Sequence, residues 1–472
     1  MGEVTTLSME AGTQMRHRRK IVISFGMVAS WLMVATVAGA THRDADRSSE
    51  VRRAIDGGRA KNVIMFLGDG MGDSEITIAR NYHVGAAGRL SMDGLPLTGE
   101  YTTYAVKKGT ADVPDYVTDS AASGTGWATG HKTYNNAISV DPVTLGPIPT
   151  ILEAAQDAGY KTGNVTTAEL TDATPAVLDS HISLRGCQGP ADMTTCPTET
   201  KQAGGLGSIA EQTVEHNVDV LMGGGKNRFD QLVTGGTYIG QSVVQQAQAL
   251  GYTVATDQTG LDAAQPGQKF LGLFHPSNMD LEWTGPLATP YPGPAASACT
   301  ESNPTRPASE PHLADMTAKA IQLLSTKVKH DDRKGFYLQV EGASIDKQDH
   351  AENPCGQIGE TVEFDRAIQV ALDWAKKHPD TLIIVTADHG HTSQIIDPQT
   401  AADHSPGAIA TLITADGQPM VVNYGTNLHG RSQNHTGTEV RIAAQGPQAA
   451  NVVGITDQTE LYHTVARALG IE

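Results

Sequence analysis

Three short apolar runs in this chain each stop at acid. VIMFL (63–67) runs into Gly68-Asp69-Gly70, FYLQV (336–340) into Glu341, and LIIVT (382–386) reaches Asp388-His389. Runs this short and almost free of polar residues predict buried strands. Between them lie helical patterns. ILEAAQDAG (151–159) and residues 360–377 place apolar side chains at three- and four-residue spacing. Strands alternating with helices predict an α/β fold, a three-layer α/β/α sandwich with a central, mostly parallel sheet. Sites in such sheets gather beyond the carboxyl ends of the strands. Asp69, Glu341 and Asp388 all fall there.

The densest of these strand ends is EGASIDKQDH (341–350), which crowds Glu341, Asp346, Lys347, Asp349 and His350 into ten residues. Like charges repel and desolvate badly, so the crowding predicts a cation among them. Asp346 and His350 are four apart, and one helical turn presents both to the same point. His435, in Asn434-His435-Thr436-Gly437, is available as a third ligand. Two histidines and a carboxylate suit zinc with an open position. Asp388-His389 with Asp69 offers a second oxygen–nitrogen set. Glu341 and Thr174 offer only oxygen, which suits magnesium. Each fragment alone has a plainer reading as a helix cap, a loop contact or a surface pair. Their joint occurrence at strand ends favours metal.

Bulk properties narrow the partners. A net charge of −18 leaves no basic stripe for nucleic acid. Arg16, Arg18, Arg19 and Lys20 precede an uncharged stretch over residues 21–40 that closes on Ala38-Gly39-Ala40. This predicts a signal peptide over 1–40 and a periplasmic or secreted protein, with the export signal as the sole membrane contact. An uncleaved anchor is the alternative, and Arg18-Arg19 is a fragment of a twin-arginine signal. Losing residues 1–40, four of them basic and two acidic, makes the mature chain two units more negative. A flexible polar arm is expected over 41–60 and a single catalytic domain over 61–472, with 284–311 a proline-rich surface loop. The four cysteines allow three pairings. Cys187 with Cys196 closes a short loop, leaving Cys299 with Cys355. Gly223-Gly224-Gly225-Lys226 lacks the spacing of a phosphate-binding loop and reads as a strand-exit turn.

GDGMGDSEIT (68–77), DYVTDSAASGTGWATG (115–130), TAELTDATPA (167–176), QVEGASIDKQDH (339–350), VTADHGH (385–391) and NHTG (434–437) together resemble the bacterial alkaline phosphatase family. The resemblance runs from about Lys61 to the C-terminus. It implies a homodimeric phosphomonoesterase of broad specificity, with two Zn2+ and one Mg2+ per subunit. Carried onto this sequence, it implies Ser120 as the nucleophile that becomes phosphorylated. Asp346, His350 and His435 would hold the first zinc, and Asp69, Asp388 and His389 the second. Asp69, Thr174 and Glu341 would hold magnesium. Arg185 would grip phosphate, oriented by Asp119, while Asp172 and Lys347 bind nearby waters and His391 steadies a ligand from behind. Gly124 and Gly126 depart from the small residues more common there, with little expected effect.

Elementary chemistry supports the same roles. A serine hydroxyl needs a cation to attack phosphorus at neutral pH, and Ser120 opens an expected helix whose N-terminus favours anions. Taken alone, Ser120 would be a helix cap. Two metals about 4 Å apart clamp both ends of an in-line displacement, and an arginine can hold two phosphoryl oxygens at once. Two successive displacements would retain configuration at phosphorus. A sulfatase is disfavoured because no C/S-x-P-x-R segment occurs around Ser120 or the cysteines. A phosphodiesterase shares the ligand types and stays open, and a silent binding protein would be expected to lack a ligand or the nucleophile.

Overall fold

The three acid-ended runs become neighbouring strands. Asn62–Gly68 lies between Phe336–Gly342 and Thr381–Ala387, parallel to both, with Leu67 opposite Glu341 and Thr386. Every residue of the three strands is buried, the outcome expected where helices cover both faces of a parallel sheet. Because their ends are in register, Asp69, Glu341 and Asp388 emerge side by side. The computed structural model describes residues 48–325, 334–399 and 407–472. The export signal expected over 1–40 lies outside the described residues.

The central sheet has ten strands. From Thr381–Ala387 through Asn62–Gly68, Phe336–Gly342, Lys161–Glu169, Val220–Gly224 and Lys269–Leu273 to Tyr252–Ala255, all neighbours are parallel. Val440–Gln445 runs against both its neighbours, Thr381–Ala387 and Leu97–Thr102. Successive residues of a strand face opposite sides, and Lys161–Glu169 shows what covers each. A Cβ on Gly163 would lie 2.8 Å from Leu324 of helix Leu313–Leu324. The next side chain, Asn164, donates to the Pro175 carbonyl at 2.8 Å in helix Ala173–Asp179. Helices therefore flank the sheet on both sides, as the pattern predicts.

Local chemistry explains the helices that carry the site. Ser120–Thr129 starts at Asp119, whose side chain accepts the Ala122 N–H at 3.0 Å. It ends at Gly130, with φ +75°. Ala173–Asp179 is capped by Asp172, and Pro354–Ala375 by Asn353 with proline in its first turn. That last helix begins six residues before the apolar period becomes visible in the sequence. Glycine matters more in Ser120–Thr129 than expected. A Cβ at Gly124 would lie 2.8 Å from Val177, and one at Gly126 would lie 2.7 Å from Gln458. Both glycines permit close packing, so replacing either forces a neighbour to shift.

Two segments differ from the sequence reading. The polar stretch 41–60 contains helix Ser48–Ala54, and Gln448 donates to the Gly57 and Gly58 carbonyls at 2.5 and 3.1 Å. The proline-rich loop 284–311 joins a small antiparallel sheet. Thr289–Pro290 pairs with Ala408–Ile413, which pairs in turn with Pro419–Tyr424. A two-residue strand has no alternation to read, and its partner lies far along the chain. Disulfides join Cys187 to Cys196 and Cys299 to Cys355, the second tying this loop to helix Pro354–Ala375. Val220–Gly224 leads through Gly225 into the short helix Lys226–Phe229. Lys226 pairs with Asp230 at 2.5 Å, consistent with a strand-exit turn. Among the described residues, no helix is long and apolar enough to cross a membrane.

Candidate active site

At the carboxyl edge, the chain after Asn62–Gly68 turns at Gly70, whose φ is +64°. A Cβ there would meet Asp346 and His391 at 3.0 Å, so only glycine fits the turn. The Gly70 N–H donates to Asp388 Oδ1 at 2.9 Å, joining the first and third acidic strand ends. Asp346 projects from helix Ser344–His350. Its Oδ1 lies 3.3 Å from His350 Nε2, 3.3 Å from His435 Nε2 and 3.1 Å from His391 Nε2. His389 Nε2 lies 3.5 Å from Asp69 Oδ1 and 3.2 Å from Asp388 Oδ2. These are two adjoining groups of donor atoms, Asp346 with three histidines and Asp69 with Asp346 and His389.

Hydrogen bonds fix which nitrogen of each ring faces inward. His435 Nδ1 lies 3.0 Å from the Thr118 carbonyl, and His350 Nδ1 bonds the Gln433 carbonyl. A carbonyl only accepts, so each Nδ1 carries a hydrogen, and Nε2 is the nitrogen of each ring whose lone pair is available to a metal at the centre. The two Nε2 atoms are 3.1 Å apart, which is repulsive without a cation between them. Support of a ligand ring by a backbone carbonyl is typical of metal sites. His391 differs. Its Nδ1 accepts the Thr392 N–H at 2.8 Å, so the ring hydrogen is on Nε2, which lies near Asp346 Oδ1 without forming a hydrogen bond.

Unsatisfied atoms point to the same fit. Asp346 Oδ1, Asp388 Oδ2 and Thr174 Oγ1 are buried without a hydrogen-bond partner, a costly state unless something electropositive meets them. Burial, then Asp346, Asp388 and Glu341, push Asp69 well above the usual carboxylate range. Burial raises Glu341 to about 8 and Asp388 to about 6. Burial also works against the charge of Asp346, yet His391 and His435 hold its carboxyl well below the usual range. Burial and the neighbouring His435 keep His389 neutral, the form that ligates metal. Oxygen and nitrogen donors thus converge where carboxylates ionise together only with divalent cations among them.

Ser120 sits at the first position of helix Ser120–Thr129. Its Oγ is 3.4 Å from His389 Nε2 and 3.5 Å from Asp69 Oδ1. The Ser123 hydroxyl donates to the Asp388 carbonyl at 2.7 Å, locking this helix to the acidic edge. Arg185 Nη2 and Nη1 pair with Asp172 at 2.7 Å and Asp119 at 3.2 Å. Lys347 Nζ holds the other oxygen of Asp172 at 2.7 Å. Burial opposes the charge of Asp172, but Lys347 and then Arg185 hold its carboxyl below the usual range. Arg185 opens onto a cavity of about 830 Å³ shared with Asp119, His350 and His435.

The structure therefore brings Asp69, Asp346, His350, Asp388, His389, His391, His435 and Ser120 together, with Glu341 close enough to Asp69 to raise its pKa. Thr174 is buried in helix Ala173–Asp179, whose cap residue is Asp172, and its hydroxyl has no hydrogen-bond partner. One member of the acidic crowd stands apart. Asp349 is fully buried, both its carboxylate oxygens lack partners, and burial followed by Glu75 pushes it well above the usual range. Burial and Glu75 favour its neutral form and it belongs to neither donor group, so the cation expected among these acids does not extend to Asp349.

Other contributors escape sequence reasoning. Asn135 Oδ1 accepts the Asp119 N–H at 2.9 Å, and the Asn136 N–H donates to Asp119 Oδ2 at 3.0 Å. The Arg185 N–H donates to the Asn136 carbonyl at 2.7 Å. Thr166 donates to Glu341 at 2.5 Å. The Asn135-Asn136 pair signals a turn and nothing more, and the carbonyls of Thr118 and Gln433 carry no side-chain signature.

Comparison with known proteins agrees with this geometry. The chain is 51% identical over 447 residues to the streptomycin-6-phosphate phosphatase of Streptomyces griseus, covering 94% of this chain and 97% of that protein. It is 52% identical over 447 residues to the alkaline phosphatase of Escherichia coli (strain K12), covering 93% and 92%. The alkaline phosphatase of the Antarctic bacterium TAB5 shares the fold, with a TM-score of 0.63 at 24% identity over 88% of this chain and 98% of that one. The model of the alkaline phosphatase family matches residues 60–433 and 425–471. With that coverage, and with half its residues shared with curated members, the chain belongs to the alkaline phosphatase family and is a metal-dependent phosphomonoesterase.

Proposed function

We propose that this enzyme works through a phosphoserine at Ser120, in a centre that takes two Zn2+ and one Mg2+ per subunit. Asp346, His350 and His435 would hold one zinc, and Asp69, Asp388 and His389 the other. Asp69, Thr174 and Glu341, all oxygen donors, would hold magnesium. When bound, the metals supply a Lewis-acid clamp on the attacking and departing oxygens.

The chain's own residues do the rest. Arg185 binds two phosphoryl oxygens, its plane set by Asp119 and Asp172. The helix N-terminus at Ser120 adds positive potential. Ser120 Oγ attacks phosphorus in line, its new P–O bond forming as the ester P–O bond breaks, and the alcohol leaves with a proton. Water then attacks the phosphoserine from the opposite side, and Ser120 regains its proton as phosphate departs. Lys347, paired with Asp172, stands beside this path. Two inversions give net retention.

The observation that carries this reading is the Ser120 hydroxyl, within 3.5 Å of both Asp69 and His389 at a helix N-terminus. Ser120→Ala is expected to abolish trapping of labelled phosphate and to lower turnover by about four to six orders of magnitude. Undiminished labelling would rule out this nucleophile. The open cavity, rimmed by Val117 at 43% exposure, supports broad monoester specificity. A panel of nitrophenyl phosphate, its diester counterpart and streptomycin 6-phosphate tests it. Comparable turnover of the two monoesters with little diester cleavage is expected. The basic and apolar segment over 16–40, with the two disulfides, supports export to an oxidising compartment, and family membership supports a homodimer. We read residues 61–472 as one catalytic domain.

A further inference from the structure

Away from the phosphate site, three side chains from separate elements meet with the composition of a metal centre. Glu153 lies in helix Ile151–Asp157, His181 follows helix Ala173–Asp179, and His216 is the C-cap of helix Ile209–Glu215. His181 Nε2 is 3.2 Å from Glu153 Oε1, and His216 Nε2 is 2.9 Å from the same oxygen. On the far side of each ring, His181 Nδ1 is 2.9 Å from the Ser139 carbonyl and His216 Nδ1 is 2.9 Å from the Gln212 carbonyl.

Those carbonyls can only accept, so both Nδ1 atoms carry hydrogen. Each neutral imidazole then turns a lone pair from Nε2 toward an anionic oxygen, which is repulsive. Two arrangements remove the conflict. Both rings can be doubly protonated, placing two cationic rings with centroids 5.8 Å apart on one oxygen, one of them with a side chain only 5% exposed. Alternatively, one divalent cation can sit among the three atoms. The second leaves both rings neutral and matches the pattern of ligand histidines braced by backbone carbonyls.

We infer that Glu153, His181 and His216 form a binding site for a zinc-class divalent cation, separate from the catalytic metals. Bonds of about 2.0–2.1 Å in a tetrahedral site put ligand atoms about 3.4 Å apart, so the observed separations need to open by only a few tenths of an ångström. Glu153 is already oriented, because its Oε2 accepts the Thr150 N–H at 2.8 Å. Asp179 adds negative potential toward His216. Side-chain exposures of 25% for Glu153 and 20% for His216 leave an entry path and a fourth position for water. Among the described residues, the other peripheral histidine–carboxylate groups hold one histidine each, and Arg306 already lies 3.5 Å from Glu282 and 3.4 Å from Glu310. The ion would brace two helices against the segment that leads, four residues on, to Arg185. Its role is structural.

Zinc content of the holoenzyme, measured by elemental analysis after dialysis against metal-free buffer, tests the inference against His216→Gln and Glu153→Gln. Each variant is expected to hold about one zinc per chain fewer than the wild type, with unchanged turnover. The cobalt-loaded wild type minus His216→Gln is expected to show the visible absorption of tetrahedral cobalt. The difference between chains does not depend on how many ions the catalytic centre holds, and either variant suffices if the other fails to fold. Equal zinc content with no cobalt difference overturns the inference and leaves a protonated ion-pair cluster.

Discussion

Two groups of buried carboxylates in this molecule have opposite fates. Around Arg306 lie Glu282, Glu310, Glu360 and Glu363, which share that internal cation or backbone donors, although Glu310 Oε2 is left without a hydrogen bond. Asp280 N–H donates to Glu310 at 2.9 Å, Glu282 N–H to Glu360 at 2.9 Å, and Ala314 N–H to Glu363 at 3.0 Å. Glu282 takes His312 at 2.8 Å. At the carboxyl edge of the sheet, Asp346 Oδ1 and Asp388 Oδ2 are also without a hydrogen bond, but there histidine Nε2 atoms lie 3.1–3.3 Å from them. The nearest cations there, Lys347 and Arg185, are committed to Asp172 and Asp119. Burial of acid is therefore no mark of a metal site by itself. An arginine set among the acids marks an internal salt-bridge cluster, whereas histidine lone pairs converging on unpartnered carboxylate oxygens mark a metal centre.

The comparison can be broken from either side. Removing metal from the holoenzyme with a strong chelator is expected to lower phosphatase turnover at least about a thousandfold, the equivalent of about 4 kcal/mol. Zinc with magnesium should restore it. Turnover that survives metal removal would mean the edge carboxylates do not depend on external cations. Arg306→Met should leave Glu282 and Glu310 buried without their cation and cost about 3–5 kcal/mol in urea unfolding. The folded fraction should keep its turnover, and a loss below about 1 kcal/mol would show that the backbone donors suffice alone.

Smaller effects sharpen the contrast. Arg185→Lys is expected to lower kcat/KM about 10- to 100-fold, because one ammonium cannot replace two parallel hydrogen bonds. Its unfolding midpoint should barely move, placing the effect in substrate binding. His312→Gln probes the internal cluster through pH. The Glu282 carboxylate, more than any other neighbour, raises the His312 pKa. A raised base stabilises the fold fully below its unfolded pKa of about 6.5, and that contribution fades as pH climbs through the higher folded value. His312 has a side chain 48% exposed, so screening limits the loss to about 0.5 kcal/mol at pH 6. At pH 9 the variant and wild type should unfold at the same urea concentration.

Placement within one strand or one helical turn was legible from residue order. Asp69, Glu341 and Asp388 end apolar runs, and Asp346 and His350 share a turn of helix Ser344–His350. Asp349 misled, since proximity in a run of acid says nothing about which carboxylates join the histidines in one donor group. The partners of Asp119 and the carbonyls behind His350 and His435 were invisible, because they are turn residues and main-chain atoms whose position is set by distant packing. The two-residue strand Thr289–Pro290 was hidden for the same reason.

Residue order alone specified a mostly parallel α/β sheet and the acid at its carboxyl edge, because strand and helix periods are local and their polar ends are written beside them. Tertiary structure alone decided which of those acids share a point, which ring nitrogen faces it, and that His435 arrives from 317 residues beyond Thr118. The physical reason is that convergence depends on strand register and loop packing between segments far apart in the chain, and hydrogen bonds to main-chain carbonyls then choose the tautomers.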